Sequence, residues 1–276
     1  MDAAYRDVAG RVHLAVDRDP ATGRRRVTLK VPVLEEAWQN EIASAAADTA
    51  VAILGDAPDL ARAVALAQNA MDATSRLAEG LLARAPAGAV ACRAGCDHCC
   101  YQVVGATPPE VLAIFDHLRR TLSAVELEAV AARVAELQAK REGLSADERF
   151  SPDHPCPFLR AGRCTIYEVR PLSCRGMNSL DAGECERRLR DPEVRAVFLA
   201  SGAGGRVFLE PIRGFHAVSA GLQLALAELY HLDMHPVELT AAIHLLFTAA
   251  DAPRDWLGGR SPFPPTRTAP PKPRAA

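Results

Sequence analysis

The amino-acid sequence predicts a mainly α-helical protein with a short N-terminal β-hairpin and a central, irregular, cysteine-rich region suited to binding metal. Three observations predict this class. The chain has 276 residues, of which 49% are hydrophobic, so it can form a large core without covalent cross-links. Beyond the N-terminal segment, its apolar residues recur mostly at helical spacing. All eight cysteines lie between Cys92 and Cys185.

The N-terminal segment predicts the hairpin. It contains RVHLAV and VTLKV, in which apolar and polar residues alternate as they do in strands with one buried face. The intervening DRDPATGRR contains Asp, Pro and Gly, which favour turns. The apolar faces of the two predicted strands consist of Val12, Leu14 and Val16, and of Val27, Leu29 and Val31.

Helical patterns lie on both sides of the cysteine-rich region. The predicted helices cover 34–53, 57–85, 212–231 and 236–249. Apolar residues at helical spacing predict their buried faces: Leu60, Val64, Ala67 and Met71 in one case, and Phe215, Val218, Leu222 and Leu229 in another. Pro86 and Gly88 end the second helix just before the first cysteine.

Two capping boxes predict helices between the cysteine clusters. Thr107-Pro108-Pro109-Glu110 combines a capping box with proline at the first helical position. Ser123 and Glu126 form the second box. The apolar faces that follow are Val111, Ile114, Phe115 and Leu118, then Leu127, Val130, Val134 and Leu137.

These patterns divide the chain into four parts. We expect a hairpin and helices over 1–88, a cysteine-cluster metal-binding domain over 89–190, and packed helices over 191–259. Residues 260–276 are rich in proline, which predicts a disordered tail.

The composition of the chain argues against several classes of function. The net charge of -2 gives no electrostatic footprint for nucleic acid or for an anionic membrane. The N-terminus lacks the basic and apolar regions of a secretory signal, and no apolar run is long enough to cross a bilayer. A cytoplasmic location is therefore expected, and there cysteines stay reduced.

The cysteines form two clusters. The first reads Cys92-x3-Cys96-x2-Cys99-Cys100, and the second places Cys156, Cys164, Cys174 and Cys185 at wider spacing. A disulfide framework suits small secreted domains, so metal binding is the better interpretation for a chain of this size. Thiolates favour zinc or the iron of an iron–sulfur cluster.

The adjacent pair Cys99-Cys100 bears on the number of metal atoms. Neighbouring side chains point apart, so both can hardly serve one small mononuclear site. Either one thiol is spare or the cluster holds more than one metal atom, since four cysteines saturate one structural zinc.

Other polar residues are weaker candidates. His98 and His154 lie in or beside the clusters, as ligands or as solvated side chains near the metal. Arg170 and Arg175 flank Cys174, where they would stabilise thiolates, bind an anion or form surface salt bridges. Glu110 is interpreted as a helix cap rather than a catalytic base.

The segments ACRAGCDHCC, TPPE and CPFLRAGRCTIYEVRPLSCRGMNS resemble the YkgJ-type cysteine-cluster family, also described as zinc- or iron-chelating CxxCxxCC proteins. The resemblance implies that six cysteines match family positions: Cys96, Cys99, Cys100, Cys156, Cys164 and Cys174. Cys92 matches with three intervening residues where the pattern has two, and Cys185 lies at the edge of the matching block.

The sequence thus predicts a metal-binding protein whose ligands are all eight cysteines. An iron–sulfur cluster with a redox or modification role is the leading hypothesis, and a structural zinc module that binds a protein partner is the alternative. The sequence identifies no substrate, catalytic residue or specific partner.

Overall fold

The computed structural model describes residues 6–7, 13–23, 25–30, 34, 36–86, 88–201 and 205–264. The predicted disordered tail lies outside the described residues from 265 onward, as do Val12 and Val31 of the predicted hairpin.

The strands are β1 (Arg6–Asp7), β2 (His13–Arg18), β3 (Arg25–Lys30), β4 (Gly105–Ala106), β5 (Leu159–Arg160), β6 (Arg163–Cys164) and β7 (Val237–Glu238). The α-helices are α1 (Ala37–Leu54), α2 (Leu60–Leu82), α3 (Pro108–Thr121), α4 (Ala124–Arg141), α5 (Ala146–Arg149), α6 (Leu172–Gly176), α7 (Ala182–Arg190), α8 (Pro192–Ser201), α9 (Leu209–Tyr230), α10 (Leu239–Thr248) and α11 (Ala252–Leu257). Short 3₁₀-helices span His98–Tyr101 and Tyr167–Val169.

The predicted N-terminal hairpin is confirmed as β2 and β3. The strands pair antiparallel with Val16 opposite Val27, and Val27 is fully buried against α1. β1 adds a third strand to this sheet. The structure also contains two short ladders that the sequence did not predict, β4 with β7 and β5 with β6.

The helical body is built around α1, α2 and α9. Ala43, Ala47 and Ala50 lie on the buried face of α1, and their small side chains allow close packing against α9. At the closest point, a Cβ atom added to Gly221 would lie only 2.1 Å from the carbonyl oxygen of Ala43. Glycine is therefore required where these two helices cross.

The predicted face of α2 is correct except at its first residue. Val64, Ala67 and Met71 are buried, whereas Leu60 is 42% exposed. The reason is that Asp59 caps the helix by accepting a hydrogen bond from the Arg62 N–H, so Leu60 lies in the first turn at the surface.

Both predicted capping boxes are present, and the helices that they start bury the predicted faces except at Phe115 and Leu127, which are half-buried. Ser123 and Glu126 cap α4 at the surface, and Thr107 and Glu110 cap α3 in the interior. Three short helices, α5, α8 and α11, were not predicted.

One hydrophobic cluster includes residues from Val27 to Phe263. No helix in the described ranges combines the length and hydropathy needed to span a membrane.

The α1–α9 crossing gives a direct test of this packing. Gly221→Ala should lower the free energy of unfolding by about 2–3 kcal/mol, because the added methyl group forces the helices apart. Gly80→Ala is the matched control, since Gly80 is exposed on α2 with open space around it. That control should raise the free energy by ~0.5–1 kcal/mol. Equal effects in thermal unfolding would contradict the close approach.

Candidate metal centre

The first cysteine segment is a tight turn followed by a 3₁₀-helix. The Cys96 N–H donates to the Arg93 carbonyl at 3.0 Å, and Gly95 within this turn has a φ of 86°. Glycine adopts this conformation without strain, which explains why the bend between Cys92 and Cys96 contains Gly95. Cys99 and Cys100 lie on the following 3₁₀-helix.

The second segment is the β5–β6 hairpin. Its turn residues, Ala161 and Gly162, both have positive φ, as a two-residue type I′ turn requires. Cys156 precedes the hairpin and Cys164 ends its second strand. The backbone N–H groups of Phe158 and Ile166, each two residues further along, donate hydrogen bonds to the two sulfur atoms.

The fold brings these two segments into contact at two points. The Cys156 N–H donates to the Cys100 carbonyl at 2.7 Å. At the other point, a Cβ atom on Gly162 would lie 3.6 Å from the Gly95 carbonyl oxygen. Cysteines that are about 60 residues apart in the sequence therefore share one region of the surface.

Cys174 lies on α6, whose N-terminus is fixed by the buried carboxylate of Glu110. One oxygen accepts from the N–H and hydroxyl of Thr107 at 2.8 and 2.7 Å, and the other accepts from the Leu172 N–H at 2.7 Å. Ser173 also donates to the Gly105 carbonyl at 2.9 Å. Glu110 is thus a cap, as predicted, and it additionally anchors the helix that carries Cys174.

Arg175 is a buried structural residue. Its guanidinium donates to the Arg170 carbonyl at 2.8 Å, and also to the Glu168 carbonyl and the Ser75 hydroxyl. Of the three predicted alternatives, the surface salt bridge is wrong for this residue, because the side chain is only 8% exposed and bonds to buried partners. These contacts tie the loop before Cys174 to α2.

Arg170 has different surroundings. Its guanidinium lies 4.2 Å from the centroid of the Tyr167 ring, and its Nε is buried without a hydrogen-bond partner in the described part of the chain. Its positive charge lowers the pKa values of Cys99, Cys164 and Cys174, against larger effects that raise them. This supports the prediction that Arg170 stabilises thiolates.

The remaining cysteines lie near one another at the edge of the centre. The Ala91 N–H donates to the Ser179 carbonyl at 2.8 Å, which places Cys92 beside the segment that leads to α7. Cys185 lies on α7, and its sulfur accepts a hydrogen bond from Arg188 at 3.0 Å. The pKa of Cys92 is raised by desolvation and by the nearby thiols of Cys96, Cys99 and Cys185.

The thiols of Cys156, Cys164 and Cys174, which lie deeper, also affect the pKa values of their neighbours. Burial raises the pKa of Cys156 to about 12, with Cys174 and Cys164 adding to the effect. Burial likewise raises the pKa of Cys174 to about 12, with Cys99 and Cys164 as the next causes. The pKa of Cys99 is itself raised first by a hydrogen bond with Cys100. Cys99 thus interacts with Cys92 at the edge of the centre and with Cys174 in its interior.

The loop before Cys156 is held by a buried ion pair. Arg141 lies 3.3 Å from Glu238, and it donates to the His154 carbonyl at 3.0 Å. The His154 Nδ1 is buried and makes no hydrogen bond among the described residues. His98 begins the 3₁₀-helix that carries Cys99.

The chemistry of the donor set fits a thiolate-bound metal, although the thiols are not gathered around one point. All eight cysteines are free: Cys92 and Cys99 are exposed, and the others are half-buried. In the described ranges, no three His, Cys, Asp or Glu side chains are gathered closely enough to hold a metal ion. Thiolates suit zinc and iron–sulfur clusters, and the backbone and guanidinium donors here are of the kind that stabilise bound thiolates.

The family resemblance is confirmed by comparison with known proteins. Residues 91–191 match the family model "CxxCxxCC: Putative zinc- or iron-chelating domain", which spans every cysteine of the chain. No curated protein and no solved structure matches the chain.

The raised thiol pKa values predict how pH affects the reduced, metal-free protein. The ordinary pKa is 9.0, and those of Cys156 and Cys174 are about 12 in the folded state. The unfolded chain therefore loses these protons at lower pH, so stability should be retained below pH ~9 and fall between pH ~9 and ~12. Thermal unfolding across this range is the measurement. A Cys156→Ala/Cys174→Ala variant should show a smaller slope, and an equal slope would contradict the assignment.

The role of Glu110 is tested by comparing two capping boxes. Glu110→Gln keeps the size of the side chain but removes one acceptor, leaving a buried N–H unpaired at α3 or α6. The free energy of unfolding should fall by about 1–3 kcal/mol, and metal content should fall with it. Glu126→Gln makes the same change at the surface and should cost less than ~1 kcal/mol without affecting metal. Equal losses would show that Glu110 is no more than a cap.

Proposed function

We propose that this protein binds an iron–sulfur centre through its eight cysteines and uses it in a redox or modification role. The family match supports a zinc- or iron-chelating domain over residues 91–191. The observation that carries the choice of iron is the position of Cys99. It interacts with Cys92 of the first cysteine cluster and with Cys174 of the second.

A single zinc ion uses four thiolates, so one ion leaves half of the cysteines unused. With a Zn–S distance of about 2.3 Å, the four sulfurs of such a site lie about 3.8 Å apart around one point. Cys99 is instead hydrogen-bonded to Cys100 and interacts electrostatically with Cys92 and Cys174, and these three come from separate elements. A polynuclear centre makes use of this arrangement because its thiolates bind different metal atoms.

An iron–sulfur centre would supply one-electron transfer at a potential set by its surroundings. Here those surroundings are the N–H groups of Phe158 and Ile166, and the guanidinium groups of Arg170 and Arg188. Cys92 and Cys99 are exposed, so the centre lies within reach of a partner or substrate at this surface. A reducing compartment such as the cytoplasm suits free thiols of this kind.

A structural zinc module is the second candidate, and one observation favours it. The cysteines join a loop, a hairpin and two short helices that have few contacts of their own with one another. Zinc would cross-link these pieces and present a surface to a protein partner. Under this hypothesis, removing zinc with a chelator unfolds 89–190, which circular dichroism and limited proteolysis would detect.

Metal analysis after purification without air distinguishes the two. We expect iron and acid-labile sulfide in the protein, with visible absorption that bleaches on reduction. A colourless protein with stoichiometric zinc would overturn the iron–sulfur proposal in favour of the zinc module. Protein that takes up neither metal would contradict both.

The ligands are tested by single substitutions. Cys96→Ser, Cys156→Ser and Cys164→Ser should each lower metal content sharply, and Cys185→Ser should have a milder effect. Arg160→Ala is the control, because Arg160 is exposed on the same hairpin as Cys164. Full metal content in all three of the first variants, with the control also unchanged, would show that these cysteines are not ligands.

A further inference from the structure

The β5–β6 hairpin carries two arginines directly opposite each other. Arg160 and Arg163 are partners across the ladder, one on each side of the two-residue turn, and both are exposed. Residues paired in this way have their side chains on the same face of the ladder, so two positive charges lie side by side. Like charges in such a pair oppose the stability of the hairpin. The arrangement therefore calls for an explanation other than folding.

A third arginine lies beside this pair. Arg133, which is half-buried on α4, donates from its Nε to the Pro157 carbonyl at 3.2 Å, which fixes its guanidinium next to the segment that leads into the hairpin. The pKa of Arg133 is lowered first by desolvation and then by the positive charge of Arg160. The two guanidinium groups are thus close enough to repel each other.

The neighbouring turn adds a fourth arginine. A Cβ atom on Gly162 would lie 3.6 Å from the Gly95 carbonyl oxygen, so the turn of the hairpin meets the turn that contains Gly95. Arg93 begins that second turn, where its carbonyl accepts from the Cys96 N–H, and it is exposed. We call these four residues the arginine patch: Arg93, Arg133, Arg160 and Arg163.

The charge of the arginine patch is not compensated within the described part of the chain. No Asp or Glu described there forms an ion pair with any of its four members, whereas six exposed arginines elsewhere do pair with carboxylates: Arg62, Arg120, Arg190, Arg206, Arg254 and Arg260. The whole chain has a net charge of -2, so this local excess of positive charge does not follow from a basic composition. It leaves the patch available to an acidic surface.

An exposed aromatic ring follows the hairpin. Tyr167 is 60% exposed, and the guanidinium of Arg170 lies 4.2 Å from the centroid of its ring. Tyrosine and arginine are the residues enriched at the energetic centres of protein interfaces. A small anion makes no use of such a ring, and the near-neutral chain lacks the extended basic surface that favours nucleic acid. A protein partner makes use of both the ring and the charges.

We propose that the arginine patch is the docking surface for an acidic protein partner, with Tyr167 as the apolar anchor of the interface. Cys164 directly follows Arg163, and Cys96 lies in the turn that begins at Arg93. A partner bound here is therefore held against both cysteine clusters. The inference deepens the proposed function, on which its purpose rests, by naming the chemistry of the partner. Docking of this kind is steered by charge and weakens as salt rises.

The test measures binding of the purified chain to a fluorescent peptide rich in Asp and Glu with interspersed Leu. Arg160→Glu/Arg163→Glu should weaken binding by at least about tenfold at low salt, and by less at high salt, because salt screens exposed charges. Arg76→Glu/Arg119→Glu is the matched control, since it changes the net charge equally at exposed arginines on α2 and α3. The control should change binding less than about twofold. Equal losses in the two variants would overturn the docking surface.

Tyr167 and a nucleic-acid probe test the choice of partner. Tyr167→Ala should weaken binding of the peptide about tenfold at low and at high salt, because the lost contact is apolar. Unchanged binding in this variant would contradict the role of the ring. Single-stranded DNA of the same length should bind more weakly than the peptide. Tighter binding of the DNA would overturn the assignment to a protein partner.

The stability of the hairpin supplies an independent arm. Arg160→Gln relieves the repulsion from Arg163, so it should raise the Tm by up to ~3 °C while it weakens binding of the peptide. A merely structural arginine would instead lower the Tm when replaced, and that result would contradict the proposal. Metal content is measured on the same samples. Wild type that binds the peptide but contains no metal would refute the proposed function and support the docking surface.

Discussion

The buried carboxylate of Glu110 is the interaction on which the candidate metal centre most depends. It satisfies the N-termini of α3 and α6 at once, so the helix that carries Cys174 is fixed to the helical body rather than to the other cysteines. Desolvation raises the pKa of this carboxyl, while the N–H groups of Leu172 and Thr107 and the hydroxyl of Thr107 oppose the shift. The fold tolerates the free-energy cost of burying this carboxylate because both of its oxygens accept hydrogen bonds.

Much of the helical body could be predicted, because its signals are local. Capping boxes and apolar periodicity depend on residues three or four positions apart, and these identified α3 and α4 closely. The two-stranded β4–β7 ladder could not be predicted in this way. Its pairing of Gly105 with Glu238 joins distant segments of two residues each, and such short strands have no periodicity to detect.

The candidate site shows the same division. The sequence singled out all eight cysteines as candidate ligands, since the type of ligand is a property of single residues. It did not reveal the role of Arg141, which depends on a tertiary contact with Glu238, or that of Arg188, which bonds to Cys185 on the same helix. The only available signal was that Arg188 follows Cys185 by three residues, a spacing at which side chains meet on a helix.

Charge explains why such a cluster and a metal belong together. Two unit charges 4 Å apart repel by about 4 kcal/mol under conditions typical of a protein surface, so several neighbouring thiolates cannot be sustained by the fold alone. The structure provides only local relief, since Arg170 and Arg188 each lie over an aromatic ring at one side of the centre. Without a further cation, Cys156 and Cys174 keep their protons at neutral pH, as their raised pKa values indicate. A bound metal would replace these protons and neutralise the charge that the fold leaves uncompensated.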